Sequence, residues 1–280
     1  MIEIYQLIIS NKTMKDIVIG LGEIGKPIYQ LLSKKNLVVG YDLNSNLMDS
    51  KKFEKFKNEK TYFIHISIPF SDNFVKSVIQ LSKKFKPKAI IIHSTVSPYT
   101  TEKIQKKSDI PVIYSATRGI HKRMSKDLKR YSKFYAVYDW APNQKNAQKE
   151  FNKKMKNAGI KTKKMSSPLV LELAKIVVDT SYYGWLINYA QLSNMIAIEN
   201  KVDYDEMWSF ADEINKFVGN RPKLYPGFIG GHCVIPNLDL IHDQTLDLIK
   251  EINTKYLKKI PNAKSINKKY EKSKKISYDV

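Results

Sequence analysis

Residues 16–32 read DIVIGLGEIGKPIYQLL: an apolar run, three glycines at 20, 22 and 25, and a stretch whose apolar residues recur at helical spacing. In a strand–turn–helix that binds a dinucleotide, each glycine has its own task. The first permits the tight turn, the second lets the backbone approach a pyrophosphate, and the third lets helix pack on strand, so that the phosphates meet a helix N-terminus. GxGxxG spacing recurs by chance, so its context decides the fold. A second apolar run, NLVVGYD (36–42), follows the helix and ends at Asp42, about twenty residues on, where an acid receives the ribose hydroxyls. That carboxylate repels a 2′-phosphate, and LNSN (43–46) brings no arginine to attract one, which favours NAD over NADP. The expected cofactor contacts here are Gly20, Gly22, Glu23, Ile24, Gly25 and Asp42.

Further along, YFIHISIPF (62–70), AIIIHSTV (89–96), PVIYSATRG (111–119), KFYAVYD (133–139) and IKTKKM (160–165) alternate with segments of helical periodicity. Apolar, β-branched runs of this kind are buried on both faces of a parallel sheet. The expected fold class is therefore α/β: a Rossmann-type doubly wound parallel sheet of six or more strands, followed by an all-helical domain with a long central helix. Ligands of such sheets bind outside the carboxyl ends of the strands. Pro69, Thr95 and Thr117 lie just past strand ends, facing the nicotinamide; the first two join the cofactor set. Ser166, Ser167 and Pro168 suit a helix cap and first turn, and the next thirty or so residues read as one helix about 50 Å long. Being apolar nearly all round, it must be buried, most simply against a second copy, so a homodimer is expected. Glu172, Lys175 and Asp179 are spaced to share one face of it. The expected organisation is an extension over 1–14, a dinucleotide-binding domain over 15–166, a helical domain over 167–260 and a lysine-rich tail over 261–280.

The chain has 280 residues, is 42% hydrophobic and carries a formal net charge of +21, enough length for two modest cores. The cationic excess is nearly all lysine, with arginine only at 118, 123, 130 and 221. No basic stripe with interleaved aromatics stands out, so nucleic acid is not the expected partner; the positive surface instead draws anionic small molecules. The stretch 176–198 is interrupted by Asp179, Asn188, Gln191 and Asn194, which argues for a buried helix over a membrane span. MIEIYQLIIS has no basic leader or small-residue cleavage site, and with a single cysteine the cytoplasm is the expected compartment.

That cysteine, Cys233, lies in PGFIGGHCVIP (226–236) among Gly227, Gly230, Gly231 and His232. Free cysteine is often buried and inert, but glycines here let the backbone turn tightly beside a thiol. Taken with the glycine fingerprint, HSTVSPYTTE (93–102), YSATRG (114–119) and ELAKIVVD (172–179), the loop resembles the UDP-glucose/GDP-mannose dehydrogenase family. That resemblance implies NAD-dependent oxidation of a nucleotide-sugar hydroxyl to a carboxylate in two hydride transfers. It assigns Cys233 as the nucleophile that holds the aldehyde as a thiohemiacetal and then a thioester, Lys175 as the oxyanion stabiliser and Thr95 as a water-positioning residue. Arg118, Gly230, Gly231, His232 and Arg221 form the implied substrate set, and no metal is called for.

Four departures accompany the match. Asp179 and Asn237 stand where the family usually has asparagine and aspartate, an exchange that keeps one carboxylate in the catalytic set. Thr117 replaces a family glutamate, and the glycine loop is one residue longer. The family's third, nucleotide-closing domain has no counterpart in the residues after Cys233. Two other readings stay open: a one-step hydroxyacid or sugar-alcohol dehydrogenase with a catalytic lysine, and a non-catalytic dinucleotide-binding regulatory subunit.

Overall fold

The computed structural model describes residues 14–231 and 233–263, with only the backbone of His121. Residues 1–13, His232 and the tail beyond 263 lie outside the described residues. The chain forms two compact units, divided after Lys175.

In the first unit, β1 (Lys15–Ile19), β2 (Val38–Tyr41), β3 (Thr61–Ile66), β4 (Ala89–Ile92) and β5 (Val112–Tyr114) form a parallel sheet of order β2-β1-β3-β4-β5. Its helices are α1 (Gly25–Leu32), α2 (Ser50–Lys55), α3 (Phe74–Phe85), α4 (Thr100–Gln105), α5 (Met124–Arg130), α6 (Gln144–Asn157) and α7 (Pro168–Leu173). Successive strand residues point to opposite faces, and both faces are apolar. Val18, Phe63, Ile91 and Ile113 pack under α1, α5 and α6; Ile17, Ile64, Ile90 and Val112 pack under α3, α4 and α7. Burial on both sides is why these strands read as unbroken apolar runs.

Among the described residues the parallel sheet has five strands, fewer than the six or more expected. β6 (Lys133–Tyr135) and β7 (Thr162–Lys164) pair in parallel with each other. They reach the main sheet through one antiparallel bridge, Tyr114 to Ala136. The chain comes back antiparallel after α5, so β6 cannot extend the parallel ladder. Because order reverses between β1 and β3, the switch point falls where the loops after those strands meet.

The second unit, among the described residues, is helical: α8 (Tyr182–Glu199), α9 (Tyr204–Val218), α10 (Ile235–Leu238) and α11 (Gln244–Lys259). Helical backbone runs unbroken from α7 into α8, but Ala174–Ser181 is π-helical. A wider turn departs from the 3.6-residue spacing on which the expected shared face rests; Glu172 is fully buried and Asp179 is exposed. Within the single chain this helix is buried on one side and exposed on the other. Gly184, Asn188, Gln191 and Met195 point inward, whereas Val178 is 69% and Tyr189 62% exposed, with Tyr182, Leu192 and Ile196 also outward. No helix among the described residues is long and apolar enough to cross a membrane.

Candidate functional site

Ile19 hands the chain to Gly20, which has φ +85°, and a Cβ there would meet the Ser67 carbonyl oxygen at 2.7 Å. A Cβ on Gly25 would lie 1.7 Å from the Gly20 carbonyl oxygen. These two glycines are fixed by packing between β1, α1 and the end of β3. Gly22 is different: nothing stands within 4 Å of its virtual Cβ, so bare backbone faces open space. The N-cap residue of α1, Ile24, makes no side-chain cap, and the first turn has no acid. In that turn Lys26 N–H donates to the Gly22 carbonyl at 3.0 Å and Pro27 has no N–H, so it is the N–H groups around Gly22 and Gly25, with the helix N-terminus behind them, that suit an anion. Asp42 accepts from the Leu21 backbone N–H at 2.6 Å and from Asn44 N–H at 2.8 Å. It ties the glycine loop to the end of β2 and keeps acceptor capacity for a ribose, since a carboxylate has about four lone-pair sites. The Ser67 hydroxyl, buried beside this loop, has no hydrogen-bond partner among the described residues. The residues present therefore fit a dinucleotide, with Gly20–Gly25 at its pyrophosphate and Asp42 at its ribose. A shallow groove lined by Gly22, Glu23, Lys26, Pro27, Gln30 and Lys122 lies alongside.

Pro69, Thr95 and Thr117 each sit three residues past a strand, after β3, β4 and β5. Ser94 joins the first two loops by donating to the Ile68 carbonyl at 2.6 Å. The Thr117 N–H donates to the His93 carbonyl at 3.3 Å, joining the last two. Glu172 anchors the other side of this edge. It accepts from Tyr99 N–H at 2.7 Å, Thr101 N–H at 2.8 Å and the Thr101 hydroxyl at 2.6 Å. Burial raises its pKa, against the lowering effect of those bonds. The carboxylate thereby serves as a cap for α4 and fixes the start of the helix carrying Lys175, which is half-buried. Arg118 is held sideways: its Nη2 donates to the Ser132 carbonyl at 2.9 Å and the guanidinium lies 4.8 Å over the Phe134 ring.

A line of buried polar groups crosses the α1/α5/α6 face, where only apolar residues were expected. Lys154 pairs with Asp16 at 2.6 Å, and Asp16 lies 3.9 Å from His65. His65 Nδ1 and His93 Nε2 are 2.9 Å apart, and His93 Nδ1 is 3.1 Å from the Ser115 carbonyl. Burial lowers both histidine pKa values. Lys133 Nζ reaches the same Ser115 carbonyl at 2.9 Å. Burial, helped by the charges of Arg118 and Lys175, lowers the Lys133 pKa to about 7.

In the second unit, the segment before Cys233 is clamped by buried amides. Asn253 accepts from Ile229 N–H at 2.9 Å and donates to the Ile229 carbonyl at 3.0 Å. Gln191 donates to the Gly227 carbonyl at 2.7 Å and to Asn253 at 2.9 Å, and Asn188 donates to Gln191 at 2.8 Å. Gly184 lets the segment close on α8, because a Cβ there would meet Val234 at 3.0 Å. Gly231 then takes φ +78°, and Cys233 emerges exposed two residues before α10, which carries half-buried Asn237. Gly230, Gly231, Cys233 and Asn237 are thus one contiguous feature. Arg221 is exposed on a different stretch and bonds Asn220. Lys133 and Asn253 were not singled out from sequence, and Glu172, Asn188 and Gln191 were named without the anchoring roles they take here; the only signal was polar residues interrupting apolar runs.

A glycine-turn parallel sheet joined to a helical unit of this kind is the fold of nucleotide-sugar dehydrogenases. UDP-D-ManNAc dehydrogenase from Pyrococcus horikoshii aligns over 87% of this chain and 69% of its own, at TM-score 0.69 and 19% identity. UDP-N-acetyl-mannosamine dehydrogenase from Staphylococcus aureus aligns over 88% and 69%, at 0.65 and 18%. NDP-N-acetyl-D-galactosaminuronic acid dehydrogenase from Methanosarcina mazei Go1 aligns over 92% and 69%, at 0.64 and 15%. No family model and no curated protein matches the chain by sequence.

Proposed function

We propose that this chain is an NAD-dependent dehydrogenase of the UDP-glucose/GDP-mannose dehydrogenase type, oxidising a hydroxyl of a nucleotide-sugar through an intermediate held on Cys233. The observation that carries the reading is the glycine cradle: Gly20 and Gly25 packed too tightly for any side chain, Gly22 bare, and α1 uncapped behind it. NAD would supply the hydride acceptor. A thiol suits the second role, because it can hold an aldehyde between two hydride transfers once its thiolate is favoured. Lys175 supplies positive charge to a developing alkoxide. Thr95, Asp179 and Asn237 orient the reacting groups, and Arg118, Arg221, Gly230, Gly231 and His232 bind substrate.

The test is a screen of UDP- and GDP-sugars with NAD, reading NADH per substrate consumed. Two NADH support a four-electron oxidation and one supports a single-step dehydrogenase. None, with NAD binding retained, supports a regulatory subunit. Cys233→Ala should halt turnover beyond the aldehyde; carboxylate formed at the wild-type rate would refute the thioester route. We further propose that the outward apolar face of α8 is covered by a second copy of the chain.

A further inference from the structure

Lys133 is buried at the start of β6, and among the described residues its ammonium nitrogen has three hydrogen-bond acceptors: the carbonyls of Ser115 at 2.9 Å and Ala116 at 3.4 Å, and the Thr117 hydroxyl at 3.0 Å. None of the three is a carboxylate. An ammonium has three donors and satisfies all three acceptors. A neutral amine has two donors and one lone pair; it keeps both carbonyls and accepts from the Thr117 hydroxyl. Both protonation states are therefore fully bonded, and passing between them only reverses the Thr117 O–H. Thr117 is 6% exposed, three residues past β5. Its N–H bond to the His93 carbonyl holds it against the β4 end, two residues before Thr95.

We propose that Lys133 is a positioning residue that, acting through Thr117, takes up the proton released when an alcohol is oxidised at this edge of the sheet. The inference rests on the dehydrogenase reading. The alcohol O–H gives its proton to Thr117 Oγ1 as Thr117 passes its own to the neutral Lys133 amine. The carbinol C–H bond breaks with its electron pair leaving as hydride to the nicotinamide, and the C=O bond forms. One alcohol, one oxidised nicotinamide and one amine become one carbonyl, one reduced nicotinamide and one ammonium.

The surroundings suit a group that changes charge near neutral pH. Arg118, after β5, and Lys175, after α7, both disfavour the ammonium, and burial disfavours it most. His93 on β4 and His65 on β3 feel the Lys133 charge and are themselves pushed toward neutrality by burial. Asp127 of α5 and Tyr131, which follows it, line the same small cavity as Lys133. Asp127 is already engaged, accepting from Ile120 N–H and Arg123 Nε.

The first readout does not depend on turnover: a lysine 13Cε NMR titration of the full chain, with Lys133 identified by the signal lost in Lys133→Met. A midpoint near neutrality supports the proposal, and a Lys133 that stays charged to pH 10 overturns it. The second is the pH profile of kcat. Wild-type kcat should rise as Lys133 loses its proton. Lys133→Arg keeps the donors but cannot accept a proton; with its fold checked by circular dichroism, because it buries a permanent charge, it should lose that rise and fall about 100-fold. Thr117→Ser should keep the rate and Thr117→Val should lose it. A Lys133→Arg profile equal to wild type from pH 6 to 9 refutes the relay. If wild type reduces no NAD with any nucleotide-sugar, the dehydrogenase reading fails and the alcohol-proton role with it, while the titration still reports the amine by itself.

Discussion

At the residue scale, Gly22 and Gly25 look alike in sequence and differ in what surrounds them. Gly25→Ala drives a methyl into the Gly20 carbonyl, so thermal denaturation should show a loss of about 1–3 kcal/mol together with loss of NAD binding. Gly22→Ala meets nothing within the protein; it should stay within about 0.5 kcal/mol of wild-type stability yet bind NAD more weakly by calorimetry, because the methyl occupies ground a pyrophosphate needs. Lys133 gives a second prediction. Burial lowers its folded pKa to about 7 from the ordinary lysine value of 10.5, so between those values the unfolded state binds more protons than the folded one. Stability contributed at this position therefore rises with pH across that window and is lowest below it, with a slope of at most about 1.4 kcal/mol per pH unit. Denaturation of wild type and Lys133→Met at pH 6 and pH 9 should show the difference moving in favour of wild type at the higher pH. The three glycines were legible because their duties are local, fixed by spacing along one turn. Lys133 was not, because the carbonyls that hold it come from the residues just after β5, and KRYSKF reads as one more solvated lysine patch.

At the element scale, α8 reverses the usual sense of an amphipathic helix. Its amides point inward, where Asn188 and Gln191 meet Asn253 of α11 and grip the backbone at Gly227 and Ile229. A glycine-rich segment has little side-chain packing of its own, so these bonds set where Cys233 emerges. Asn253→Leu removes a donor and an acceptor from buried partners, at a cost of about 1–3 kcal/mol for each group left unmet. Amide hydrogen exchange should then quicken over residues 227–234 more than over β1–β5; unchanged protection there would mean the segment is held by something else. The long helix itself was legible from its apolar length and the Ser-Pro start, and Ser167 does cap it by accepting from Val170 N–H. Its π-helical stretch was not, since spacing arguments assume 3.6 residues per turn. That stretch contains both Lys175 and Asp179, and π segments recur at functional positions. The strand count failed for a similar reason: composition identifies β6 and β7 as extended, but the direction of the return after α5 is set by tertiary packing.

At the scale of the whole molecule, the doubly wound fold was legible from the order of runs alone, whereas the outward apolar face of the helical unit depends on which side the amides take. Tyr182, Tyr189, Leu192 and Ile196 form one stripe along α8, and Phe210, Ile214 and Phe217 leave a second on α9. The two helices meet where the Trp208 indole N–H donates to Ser193 and its ring packs edge-on to Tyr189, so the stripes belong to one unit. Exposed apolar stripes of this kind suit the second copy proposed above, and the net charge of +21 opposes its docking. The two effects respond differently to salt. Screening weakens repulsion between exposed charges, with a Debye length near 10 Å at about 0.1 M, while apolar burial persists. Self-association through this face should therefore tighten as salt is raised from about 0.02 to 0.3 M, the reverse of a contact held by ion pairs. Sedimentation equilibrium of wild type and Tyr189→Glu/Ile196→Glu separates the alternatives. The double variant should be monomeric at every salt concentration with its circular dichroism unchanged; a dimer that survives it, or one that dissociates on adding salt, would place the interface elsewhere.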